Sequence, residues 1–150
     1  MKNVFDQTDV NELVSRINNL NSKSNNLWGR MSVGQMMAHC NVAYDMTYTD
    51  QYPKPTGFKK FMIKLIAKKM VVGPKPYKRN IRTAPEFLIT DERDFELEKQ
   101  KLVAHLQKTQ QLGAAHFQNK ESHAFGPLTS QEWNVLFYKH LDHHLQQFNV

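Results

Sequence analysis

A single cysteine, Cys40, stands in the 150 residues. That excludes an internal disulfide and any cysteine-rich zinc site, so the chemistry must come from other side chains. No apolar run approaches the length of a membrane span. The start, Met1-Lys-Asn-Val-Phe-Asp6, lacks the apolar centre of a secretion signal, which makes a cytoplasmic location the expectation. No Val/Ile-rich alternating run marks a strand, and internal repeats and low-complexity tracts are missing. The G-x-S-x-G elbow, the P-loop and the dinucleotide fingerprint are missing too. What is left is one domain over residues 1–150, at 40% hydrophobic and 23% charged rich enough in apolar residues to bury a core.

Acids are also missing from one long stretch. Between Asp50 and Glu86 there are none, but there are ten bases: Lys54, Lys59, Lys60, Lys64, Lys68, Lys69, Lys75, Lys78, Arg79 and Arg82. The other ten bases face all fourteen acids, so the net charge of +6 belongs to this segment alone. Nucleic acid, an anionic membrane or an acidic substrate would each suit it. Its aromatic residues do not interleave as stacking platforms, and no specific nucleic-acid module is present.

Helical spacing accounts for most of the rest. Val10, Leu13, Val14, Ile17 and Leu20 form one stripe over 9–20, with Asp9 and Glu12 placed to cap its start. Ser32-Val-Gly-Gln35 reads as a capping box with Met31 and Met36 as its staple, opening a second helix that ends near Pro53 and Pro55. Phe58 to Met70 is a basic amphipathic segment in which Lys60, Lys64 and Lys68 share a face. Residues 74–89 lack a period and are expected to wrap the surface. A third main helix runs from a cap at Thr90 or Asp91 to Leu112, where Gly113 stops it. Thr129-Ser-Gln-Glu132, with Leu128 and Trp133 as staple, opens the last. The expected architecture is all-α: four principal helices in a bundle, plus the basic helix and a long connection between the second and third.

The last helix carries His140 and His144 one turn apart, so both imidazoles project to the same side. Neutral imidazole nitrogens ligate zinc and similar ions, and a third ligand must come from a neighbouring element. His143 points about 100° away on the helical wheel. His105 lies on a highly charged helix, and His116 and His123 fall outside the strongly capped helices. His39, within the second helix, completes the best trio. A zincin reading fails, because Leu141 stands where the glutamate would follow the first histidine.

The run Trp28, Met31-Ser-Val-Gly-Gln-Met-Met-Ala-His39, with His140-x-x-x-His144-x-x-Gln147 at the end, resembles the DinB-like superfamily of metal-binding four-helix bundles. The stretch from His123 to Trp133 looks closer to a branch catalogued as a domain of unknown function. The resemblance covers most of the chain and is weakest over 53–85. It implies a divalent metal held by His39, His140 and His144, and an activity such as thiol-cofactor-dependent S-transfer.

Three imidazoles admit zinc and nickel first, with iron, manganese and copper as further candidates. A low-molecular-weight thiol is the second cofactor under the transferase reading, drawn in by a positive rim from the basic segment. A metal-dependent hydrolase is the alternative. A binding module using residues 54–82 on an anionic partner is a third reading from a different class. The expected partner is a small-molecule substrate, and a homodimer is an admissible assembly. Gln147, Asp45, Tyr44 and Trp133 are candidates to support or line the pocket, with Gln147 best placed one turn beyond His144. Asp142 and His143 read as bystanders, and Cys40 as a small buried hydrophobe.

Overall fold

The computed structural model describes residues 2–150. Among them are five α-helices, a 3₁₀ turn and a two-stranded hairpin. The helices are α1 (Gln7–Asn18), α2 (Val33–Tyr48), α3 (Gly57–Val72), α4 (Phe95–Phe117) and α5 (Ser130–Gln147), with the 3₁₀ turn at Pro85–Phe87. The hairpin pairs β1 (Lys120–Ser122) with β2 (Gly126–Leu128) in antiparallel register. Among the described residues, no helix is long and apolar enough to cross a membrane.

Local chemistry sets the helix ends. Both expected capping boxes form, Ser32 with Gln35 on α2 and Thr129 with Glu132 on α5, so the two histidine-bearing helices start at fixed points. α1 begins earlier than expected, because Asp6 rather than Asp9 accepts the backbone N–H groups of Thr8 and Asp9. α4 begins later, because Asp94 caps it through the backbone N–H of Leu97. Gly113 does interrupt α4: its φ of 71° is a conformation open mainly to glycine, and a further turn follows to Phe117.

The hairpin corrects the strand-free expectation. Its strands have three residues each, too few to show alternation. Ser122 ties the turn, its hydroxyl donating to the Gly126 carbonyl at 2.8 Å and accepting from the Phe125 N–H at 3.0 Å.

α4 packs against α1, α2 and α5, and α5 also packs against α1, α2 and α3. The shared core holds Leu13, Ile17, Met37, Leu106, Phe117 and Phe137 among others. The helix from the basic segment packs against α5 and joins this core only at its end, through buried Val72 with Val71 beside it. Lys60 and Lys68 reach Glu121 and Glu132, each at 3.0 Å, so two lysines of the shared stripe turn towards the protein.

Candidate metal centre

α2 delivers His39 and α5 delivers His140 and His144 to one place. The three rings lie with centroids 4.5–5.0 Å apart, and one nitrogen from each falls within 4.8 Å of the other two. His39 and His144 are buried and His140 partly so.

Hydrogen bonds orient two of the rings. His39 Nδ1 lies 2.8 Å from the Phe87 carbonyl, which can only accept, so Nδ1 carries the proton and Nε2 a lone pair. Gln147 donates its amide N–H to the Trp28 carbonyl at 2.6 Å, which turns its Oε1 to His144 Nδ1 at 2.8 Å. Nδ1 of His144 is therefore a donor as well, and its Nε2 is free. This is the arrangement that metal-bound histidines generally show, with the distal nitrogen donating to an oxygen acceptor.

His140 Nε2 stands 2.9 Å from His39 Nε2. Two bare lone pairs repel at that separation, so a proton or a cation must lie between them. Imidazole nitrogens around a tetrahedral zinc ion sit about 3.3–3.4 Å apart, so the His39–His140 pair would open by a few tenths of an ångström, while the widest pair, at up to 4.8 Å, would close by as much as about 1.4 Å.

Burial favours the neutral ring at all three positions. It lowers the His39 pKa against the opposing pull of the Phe87 carbonyl. At His140 burial, then the neighbouring His39 and His144, hold the pKa well below the ordinary value. His144 is pushed down to about 3 by burial and by His39, with Gln147 partly opposing. Neutral imidazole is the form that ligates.

The cluster opens on a cavity of about 1110 Å³. Ile63 and Ala67 of α3 form part of its wall, and Tyr77 and Phe87 line it from the long connection. That connection is therefore more than a surface wrap: it supplies the carbonyl that orients His39. Lys139, next to His140, donates to the carbonyls of Met70 at 2.7 Å, Gly73 at 2.5 Å and Lys75 at 3.2 Å. It anchors the end of α3 and the start of the connection to α5.

Gln147 sits where the spacing put it, and Trp133 is buried and lines the cavity. Asp45 does not reach a ligand imidazole. Its carboxylate is 2.7 Å from Lys101 Nζ and 3.7 Å from His105 Nε2, because its helix face turns to α4. Tyr44 lies in the core, stacked on Phe137 at 4.6 Å, and does not line the cavity. His143 packs edge-on against Trp28 and Tyr77 and is outside the cluster. Asp142 pairs with Arg16 at 2.7 Å. Cys40 is buried.

Sequence reasoning missed Phe87, Tyr77 and Lys139. Two aromatics in a proline-rich aperiodic stretch were the available signal for the first pair. The Trp28 carbonyl was equally hidden, although Trp28 itself stood in the recognised pattern.

Fold and site together define a mostly helical protein whose three histidines could hold a metal ion. The chain belongs to the family described as "Protein of unknown function (DUF1569)", whose model matches residues 2–150. No curated protein and no solved structure gives a significant match.

Proposed function

We propose that His39, His140 and His144 bind one divalent metal ion through Nε2 and that the protein is a metal-dependent enzyme for a small molecule. One observation carries this reading: three imidazoles kept neutral by burial converge within 4.8 Å at a cavity. The proposal includes a DinB-like arrangement, with α1, α2, α4 and α5 as the four-helix bundle and α3 as the insert. One ligand from the second helix and two from the last agree with that superfamily's pattern.

A divalent ion held by neutral ligands keeps its full charge and lowers the pKa of a bound water or thiol. Zinc and nickel are the first candidates. The protein's own contribution is positional: the Phe87 carbonyl and the Gln147 amide fix two ligand rings, and the cavity gives a small molecule room beside them. Arg30, Lys59 and Arg82 outnumber Glu86 among the charged residues of its wall. That balance favours an anionic group on the substrate or on a low-molecular-weight thiol cofactor, which supports S-transfer as the leading reaction class.

Metal analysis of protein purified without a histidine tag tests the proposal. One equivalent is expected, lost in His140→Ala. Substoichiometric metal that His140→Ala leaves unchanged would overturn it. A screen with small thiols and electrophiles then tests the reaction class, and ester or amide turnover without added thiol would assign a hydrolase instead.

A further inference from the structure

α3 has two apolar sides. Ile63, Ala67 and Val71 face the cavity. On the other side, Phe58 is 78%, Phe61 58%, Leu65 66% and Ile66 70% exposed. Positions 58, 61 and 65 follow helical spacing, and Ile66 lies beside them, so the four form one face over the first three turns. Single exposed apolar residues are ordinary; four large ones on one short helix make a patch that fits a partner.

The charges around the patch identify that partner. Lys60 and Lys68 are taken up by Glu121 and Glu132. Lys59, Lys64 and Lys69 are exposed and make no ion pair among the described residues. Lys69 projects within the apolar face and Lys59 lies at its edge beside Ile66, on the rim of the cavity, whereas Lys64 lies about 120° from the centre of the face with its Nζ near Gly126 of the hairpin. No acid occurs from Gln51 to Pro85 to oppose them. The outer side is thus apolar, with Lys69 inside the face and Lys59 at one margin.

We propose that the outer face of α3 docks in the plane of an anionic lipid bilayer. Phe58, Phe61, Leu65 and Ile66 enter the boundary between headgroups and acyl chains, and Lys59 and Lys69 meet acidic headgroups. A second copy of the chain would set like charges against each other along the same face. Nucleic acid would satisfy the lysines but leave Leu65 and Ile66 in water, with no base to stack on them. This docking does not depend on whether the histidines hold a metal.

Flotation of the full chain with vesicles tests the proposal. Binding to phosphatidylglycerol-containing vesicles is expected to exceed binding to pure phosphatidylcholine vesicles by at least about tenfold, and to weaken as salt rises. Phe58→Ser with Phe61→Ser, and separately Lys59→Gln with Lys69→Gln, should each weaken binding by about tenfold. Both pairs lie at exposed positions, and circular dichroism with thermal melting verifies that the fold survives. Absence of flotation at low salt overturns the proposal. Equal flotation of wild type and the Phe58→Ser/Phe61→Ser variant also overturns it, since attraction would then be purely electrostatic. So does a lipid-free dimer that the phenylalanine substitutions dissociate, or retention on nucleic acid without binding to vesicles.

Discussion

The Nε2 atoms of His39 and His140 face each other at 2.9 Å. With the Nδ1 proton of His39 committed to Phe87, the gap must contain either a proton from His140 or a metal cation. Cation binding would therefore replace an internal hydrogen bond and stabilise the fold by an amount that grows with the logarithm of ligand concentration. At a hundredfold excess over the dissociation constant the gain is about 2.7 kcal/mol, or roughly 5–10 °C in melting temperature for a domain of this size. Differential scanning fluorimetry with zinc, nickel and EDTA should show that shift in wild type and lose it in His140→Gln. A shift of equal size in His140→Gln would place the metal elsewhere.

Gln147 acts on the same site through one amide. Its Nε2–H holds the Trp28 carbonyl and its Oε1 holds His144. Removing an acceptor of this kind typically costs about 10–100-fold in metal affinity. Gln147→Ala should show that loss by competition with a chromophoric chelator while keeping the three ligands. Gly29→Ala should move affinity in the same direction without touching a ligand. Gly29 has φ +82°, and a Cβ there would meet Gln147 Nε2 at 2.5 Å. Unchanged affinity in both variants would mean that the amide does not position His144.

The contrast between Gln147 and Asp45 shows what was legible in the chain. Gln147 shares a helix with His144, so periodicity alone put it within reach. Asp45 lies about a turn and a half beyond His39, and only the packing of α2 on α4 reveals that it turns to Lys101 and His105. Capping boxes at Ser32 and Thr129 were readable because each is complete within four residues. Phe87 was not, since its backbone carbonyl, not its side chain, orients His39, and carbonyls leave no mark on a sequence. The hairpin after α4 escaped for want of length. Most of the helical frame and the three histidines were thus visible locally, and the groups that orient them were tertiary.

Lys139 joins α5 to the end of α3 through three carbonyls. An ammonium has three N–H donors, so all three can be engaged there. Lys139→Met keeps much of the stem packing and leaves those carbonyls short of a partner, at a cost of about 1–3 kcal/mol. Hydrogen exchange should accelerate over the last turn of α3 and over 73–76, while α1 and α4 keep their protection. Uniform acceleration across the chain would mean that Lys139 stabilises the whole fold rather than anchoring α3.

The buried histidines make acid sensitivity a test of the same geometry. His39, His140 and His144 all have folded-state pKa values below the ordinary 6.5, with His144 down to about 3. Below pH 6.5 the unfolded chain therefore binds protons that the folded chain refuses, so stability falls as pH drops towards the folded values. Each such histidine removes up to about 1.4 kcal/mol per pH unit inside that window. For His144, with its folded pKa near 3, the loss between pH 7 and pH 5.5 is roughly 1 kcal/mol; His39 and His140 act in the same direction, and urea midpoints of metal-free protein should drop accordingly. His144→Asn removes one titrating group and should make the pH dependence shallower, even if the variant is less stable throughout. Added metal should raise the midpoint across this range with little change of slope, since the folded site already holds no protons there for the ion to displace. A midpoint flat across this range, or one that rises on acidification, would contradict three neutral imidazoles at the cavity.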